Sequence, residues 1–397
     1  MSSTSIEPIQ VAQEATTAPS LLALFHDVRQ HSLHITEALR PEDQTVQTMP
    51  DVSPTKWHLA HTSWFFETFI LREFVAHYRP FDPEYEYLFN SYYNGIGAQY
   101  PRGKRGLMTR PTLDEVHAYR RHIDGAIAFE LSQSDDLPDW ADLLVLGCHH
   151  EQQHQELMQT DIKHVLSYNS RGGVVEVLTD DTRTAKAADW VAHPGGLVEI
   201  GAEDSSGFHF DNEGPRHKVW LEPFRLCTNL VTNGDYMAFI QDGGYTRPEL
   251  WLSEGWAAVQ QEQWGAPLYW DSALGQKLDL EAPVMHVSYL EADAYARWAG
   301  KRLPLEAEWE VLASAPQLMG MHGKVWQWTN SAYAPYPRYR PASGAVGEYN
   351  GKFMNSQMVL RGSSMATPTG HARDTYRNFF YSKDRWQFSG IRLAEYQ

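Results

Sequence analysis

The sequence predicts a multi-domain protein, α-helical in its first part and α+β in its second. Three observations lead there. The chain has 397 residues, which at roughly 100–200 residues per domain calls for two or three domains. Apolar residues make up 42%, with 14 Trp, 20 Tyr and 16 Phe, so a large core is available and disorder is excluded for most of the chain. Apolar positions recur at helical spacing as far as Ser167, then give way to short β-like runs broken by Gly, Pro, Asn and Asp.

Taken in order, residues 1–19 read as a flexible arm. Within 20–168, Leu21, Leu22, Phe25, Val28, Leu33 and Ile35 give the spacing of a first helix, which Pro41 closes. Ser53 and Pro54 look like an N-cap and first-turn proline opening a second helix. Thr112 and Glu115 form a capping box ahead of a third. Asp139 is placed to cap a fourth, WADLLVLGCHHEQQHQELMQTDIKHVLSY. Four long segments with one longer connection, about residues 79–111, predict a four-helix bundle. Residues 169–188 are polar with a Gly pair and read as a linker. In 189–397 the runs GGLVEIGA, HKVWLEPFRLC, VMHVSY, MVLRGSS and SGIRLAEY read as strands, interrupted by helical NGDYMAFIQ and LEADAYARWAG.

Charge narrows the function. Lys plus Arg total 33 against 50 Asp plus Glu, a net −17, a poor footprint for a binder of nucleic acid or anionic membranes. No apolar run approaches the ~20 residues that span a bilayer, and the polar N-terminus lacks the regions of a signal peptide. Cys148 and Cys227 are the only cysteines, too few for a disulfide framework or a thiolate zinc cluster. The expectation is a cytoplasmic protein without nucleic-acid or membrane partners, compatible with a homo-oligomer.

The histidines carry the chemistry. His150 and His154 are four apart, hence on one helix face with Leu143, Gly147 and Leu157. His61 lies on the second helix among Trp57, Trp64 and Phe65. Three neutral imidazoles meeting inside a bundle would leave up to three open positions on a metal, which suits Fe(II) that must take substrate and dioxygen together. HEQQH also matches the HExxH zinc-hydrolase pattern, with Glu151 as general base. The metzincin extension fails at Leu157 and Thr160.

SPTKWHLAH, HHEQQHQELMQTDIKH and FDNEGPRHKVWLEPF together resemble the ergothioneine-biosynthesis sulfoxide synthases, nonheme iron enzymes. The resemblance runs from about Leu21 to Ala394. It implies a DinB-like four-helix bundle followed by a C-type-lectin-like domain of the formylglycine-generating-enzyme and sulfatase-modifying type. It implies Fe(II) on His61, His150 and His154, with His58 and His149 outside the matched positions. The implied partners are small molecules: Nα-trimethyl-histidine (hercynine), a thiol and O2, joined oxidatively into a sulfoxide.

The family places a tyrosine beside the iron, and Tyr92 and Tyr93, on a loop with Gly95 and Gly97, resemble one of its branches. A phenol there can donate a proton at neutral pH. Arg102 and Arg105 match the P-R-x-x-R that grips the thiol substrate's carboxylate, a task that suits a planar guanidinium. Gln153, Asn378, Phe379 and Phe380 match substrate-contacting positions; aromatic faces hold a quaternary ammonium. Formylglycine synthesis needs a late cysteine pair, which is missing here. Members using γ-glutamylcysteine show Trp-Asp where this chain has Phe379-Phe380, which favours cysteine as the donor. The junction at 313–326 is shorter than the family's loop. Selenoneine- or ovothiol-type synthases are alternatives within the class. A zinc hydrolase, or a lectin-like binding protein with inert histidines, are alternatives outside it.

Overall fold

Helix α1 (Ala18–Thr36) starts where Thr17 accepts the Ser20 N–H at 3.3 Å, and it buries Leu21, Phe25, Val28 and Ser32 along one face. The computed structural model describes residues 17–168, 188–203, 207–270 and 278–397. The predicted arm therefore lies outside the described residues except for its last three, which cap and open α1. The predicted linker lies outside them except for residue 188.

Helix α2 (Thr55–Phe66) is buried along its entire length. The expected Ser53 cap is not made: Pro54 is the N-cap residue, with no side-chain hydrogen bond. The Ser53 hydroxyl instead accepts from Arg105 at 2.9 Å, and its N–H donates to Asp161 at 2.8 Å. Past Phe66 the helix widens into a π turn, Glu67–Leu71. There buried Glu67 accepts from the Tyr119 hydroxyl at 2.6 Å, the Tyr78 hydroxyl at 2.7 Å and the Phe81 N–H at 3.0 Å. Helix α3 (Leu113–Leu131) makes both halves of its capping box, between Thr112 and Glu115.

Helix α4 (Ala141–Ser167) begins one residue later than expected. Trp140 is its N-cap, and Asp139 caps nothing. α1 packs on α4 and α3, and α2 packs on α3 and α4. One side of α4 faces these helices, while the other enters the C-terminal half. Glu156 accepts from the Trp326 indole, from Ser364 at 3.0 Å and from Thr367 at 2.6 Å. Gln159 donates to the Ala366 carbonyl at 3.1 Å. This polar lining on a buried helix is what a segment bridging two halves requires, since every buried polar group needs a partner.

Among the described residues the C-terminal half combines helices with three sheets. Strands β1 (Trp190–His193), β4 (Phe224–Leu230) and β9 (Arg392–Tyr396) form one, in the order β1-β4-β9. β2 (Gly196–Ile200) and β3 (His217–Leu221) pair antiparallel. The third sheet, from β5 (Trp326–Ala332), β6 (Gln357–Arg361), β7 (Asn378–Tyr381) and β8 (Ser389–Gly390), runs β7-β6-β5-β8. The run VMHVSY is not a strand. His286 takes a φ of 62°, which breaks extended structure, and Ser288 caps the helix Tyr289–Trp298. A continuous apolar cluster joins Phe25 and Trp64 to Trp326, Tyr376 and Ile391, so the two halves share a core.

Gly147 lies where α4 packs tightly against the end of α2. A Cβ there would stand 2.3 Å from the Phe66 ring, which is fully buried and packs edge-on against Phe25 at 5.0 Å. Alanine normally stabilises a helix interior by about 1 kcal/mol over glycine. Gly147→Ala is expected to reverse that sign, with a net loss of about 1–3 kcal/mol from overpacking. Gly125→Ala on α3, with nothing within 4 Å, should show the ordinary gain in the same urea-unfolding measurement.

Candidate metal centre

His61 from α2 and His150 and His154 from α4 converge, each with a ring nitrogen such that the three lie within 4.8 Å of one another. Ring centroids are 5.0 Å apart for His61 and His150, 4.7 Å for His61 and His154, and 4.6 Å for His150 and His154. Among the described residues this is the only cluster of potential metal ligands of its kind. Their exposures are 0%, 1% and 7%. His61 lies between the parallel indoles of Trp57 and Trp64, at 4.6 and 5.5 Å, and its Nδ1 bonds the Phe89 carbonyl at 2.6 Å. Its Nε2 is buried without a partner, as are both ring nitrogens of His150. His154 bonds through Nδ1 to His58 Nδ1 at 2.8 Å, and His58 Nε2 meets Asp161 Oδ2 at 3.0 Å.

Burial pushes all three imidazoles toward the neutral form. The His150 pKa falls to about 3, and those of His61 and His154 fall well below the ordinary value, burial acting first and the neighbouring His150 next. Neutral imidazole is the form that ligates. Buried polar atoms without partners are costly, so three converging imidazoles, of which His61 and His150 carry orphaned nitrogens, fit a bound cation and little else.

Glu151 points elsewhere. Its fully buried carboxylate accepts from Arg29 at 2.8 Å, Arg120 at 2.9 Å and Ser32 at 2.6 Å. Against the burial that would raise it, the two guanidinium groups hold its pKa down at about 2. The histidine group thus has no carboxylate among the described residues, and HEQQH lacks the general base that a zinc hydrolase requires.

Arg105 stands beside this group. Its guanidinium lies 3.4 Å over the Trp57 ring, the indole that stacks on His61. It donates to Ser53 at 2.9 Å and Ser91 at 3.0 Å, and no carboxylate pairs with it among the described residues. Burial, then the charge of Arg102, push its pKa down. A buried cation with only hydroxyl partners is arranged to receive an anion. Arg102 is exposed and donates to the Asp51 carbonyl at 2.8 Å.

The remaining predicted residues divide. Gln153 donates to the Tyr376 hydroxyl at 2.7 Å and accepts from the Tyr349 hydroxyl. Tyr92 and Tyr93 stack at 4.7 Å. The Tyr93 ring meets Trp64 at 5.5 Å, and its hydroxyl is buried with the Tyr92 phenol as its interacting neighbour. Tyr92 packs on Phe353 at 5.0 Å, from the C-terminal half. Burial raises both phenol pKa values, so each keeps its proton. Asn378, Phe379 and Phe380 lie on β7; Phe379 stacks on Tyr333 at 4.0 Å and Phe380 packs edge-on against Trp386 at 5.9 Å. Neither Phe379 nor Phe380 is in ring contact with the imidazoles.

Sequence reasoning missed Tyr349. Its ring meets His150 edge-on at 5.5 Å, making it the tyrosine in ring contact with the cluster. It sits between β5 and β6, in a stretch with no periodicity to flag it. Glu348 next to it accepts from the backbone of Asn94 and Gly95, at 2.9 and 2.6 Å, tying the tyrosine loop to the C-terminal half.

Two comparisons with known proteins bear on this arrangement. The sulfatase-modifying factor enzyme 1-like domain matches residues 175–318 and 313–396. The hercynine oxygenase of Mycolicibacterium smegmatis is 30% identical, covering 88% of this chain and 92% of its own. That of Mycobacterium tuberculosis is also 30% identical, over 87% and 91%. The formylglycine-generating enzyme of Thermomonospora curvata is 35% identical, over 39% of this chain and 56% of its own.

Proposed function

The chain belongs to the hercynine oxygenase (ergothioneine sulfoxide synthase) family, and from that premise we propose an Fe(II)- and O2-dependent enzyme that joins a thiol to Nα-trimethyl-histidine, giving a sulfoxide. The single observation that carries the metal assignment is the buried cluster His61, His150 and His154, with nitrogens of His61 and His150 left unpartnered. In this reading 20–168 is a DinB-like bundle, 169–188 a linker and 189–397 the formylglycine-generating-enzyme-like domain. His61, His150 and His154 would hold Fe(II), which when bound supplies open coordination positions and the electron that dioxygen chemistry needs.

The chain's own residues do the rest. Arg105 binds the carboxylate of the thiol substrate; its buried guanidinium donates to the Ser53 and Ser91 hydroxyls, and no protein carboxylate among the described residues competes for it. Tyr349, Tyr376 and Phe210 offer aromatic faces beside Gln153, as a trimethylammonium group requires. The Tyr93 phenol, kept protonated by burial and interacting with the Tyr92 phenol stacked against it, is available to deliver a proton. Cysteine is the favoured donor, because Phe379 and Phe380 offer no carboxylate to a γ-glutamyl ammonium group.

The test is anaerobic loading with Fe(II), then oxygen uptake with trimethyl-histidine plus cysteine or γ-glutamylcysteine. The expected result is uptake that needs both organic substrates, is faster with cysteine, and yields a sulfoxide conjugate by mass spectrometry. Uptake without conjugate formation, or turnover with zinc alone, would overturn the proposal.

A further inference from the structure

His58 stands outside the matched ligand positions and Asp161 carries no sequence signal, yet both lie directly behind one member of the imidazole cluster. Both are buried, at 2% and 3% exposure. Asp161 Oδ2 accepts from the Ser53 N–H at 2.8 Å and meets His58 Nε2 at 3.0 Å. Across the ring, His58 Nδ1 meets His154 Nδ1 at 2.8 Å.

For a neutral His58 beside an ionised Asp161, the proton positions along this line follow from chemistry. A carboxylate can only accept, so His58 Nε2 must carry a hydrogen. In a neutral imidazole the other nitrogen is then an acceptor, so His58 Nδ1 accepts. Two acceptors cannot bond each other, so His154 Nδ1 must donate. The hydrogen of His154 is thereby placed on Nδ1, and Nε2 is left with a free lone pair.

We propose that Asp161 and His58 form a positioning pair that sets the His154 tautomer, so that Nε2 is its donor to the metal before any metal arrives. The inference rests on the metal reading above and adds a division of labour among the three imidazoles. His61 is set by a backbone carbonyl, Phe89, at 2.6 Å. His154 is set by a carboxylate acting through a second imidazole. His150 has no partner on either nitrogen. A hydrogen bond to the far nitrogen of a ligating histidine orients the ring and raises its basicity. His61 and His154 are therefore both oriented through their far nitrogens, whereas His150 is not.

The test uses the metal-free full chain labelled with 15N-histidine, read by long-range proton–nitrogen correlation, with His154 assigned from a His154→Asn variant. The expected signature is a protonated Nδ1 and an unprotonated Nε2 on His154. Two substitutions then separate the links: His58→Asn keeps an oxygen acceptor near the Nδ1 position, whereas His58→Gln keeps a donor near Nε2 but loses that acceptor. His58→Gln is expected to weaken Co(II) and Fe(II) binding by about 10–100-fold, and His58→Asn to retain most of it. A wild-type His154 protonated on Nε2 would overturn the proposal, as would equal losses in the two variants. Where a variant fails to fold, the wild-type tautomer decides alone. That readout needs neither iron nor turnover, so an enzyme inactive toward trimethyl-histidine would leave it standing.

Discussion

Replacing His150 with leucine is expected to abolish turnover and weaken metal binding by more than ~100-fold, while leaving the metal-free protein no less stable than the wild type. Losing a partner behind a ligand already costs about 10–100-fold in metal affinity, so losing a ligand itself should exceed that. Stability should move the other way. Both ring nitrogens of His150 are buried without a hydrogen bond, and an unsatisfied buried polar group costs about 1–3 kcal/mol. Leucine in that place, against Phe65 at 4.7 Å and Tyr349 at 5.5 Å, removes the penalty and keeps the contact. Urea unfolding of metal-free protein, beside metal titration of the same samples, reads both effects. A variant that unfolds early, or that still binds metal like the wild type, would refute the assignment.

Glu151, the adjacent residue, should behave oppositely. Glu151→Ala is expected to destabilise the fold by about 3–5 kcal/mol, because it leaves Arg29 and Arg120 buried without the charge that balances them. Asp124, 2.6 Å from Arg29, compensates one of the two only. The pH dependence follows the same logic. The Glu151 carboxyl is held at about 2, below its ordinary 4.5. A depressed acid contributes stability above its ordinary pKa and loses it as pH falls toward the lowered value. The wild type should therefore lose stability between about pH 4.5 and 2, and the alanine variant should show a flatter profile there. In an HExxH hydrolase the same substitution would cost activity and spare the fold. A variant with wild-type stability and a wild-type acid limb would overturn the structural role.

Part of this site was legible in the order of residues. A helix places residues four apart on one face, so His150 and His154 had to share a direction once α4 formed. Capping worked where the cap had no other task, as at Thr112 and Glu115. It failed at Ser53, whose hydroxyl and N–H are spent on Arg105 and Asp161, more than fifty residues away. His286 breaks the VMHVSY run with a positive φ that β-propensity does not register. Tyr349 arrives from a stretch without periodicity, through a loop that Glu348 pins to Asn94 and Gly95.

By itself the sequence determined the helical first half, the mixed second half, the acidic charge balance and the imidazole-rich chemistry, because these depend on composition and on neighbours within a few positions. Only the tertiary structure decided which way each polar group faces. It turned Glu151 toward two arginines rather than the cluster, set His58 and Asp161 behind His154, and brought Tyr349 against His150. Those outcomes rest on pairing between groups far apart in the chain. In a buried interior each donor and acceptor must be matched by whatever the packing delivers, and no local pattern records that delivery.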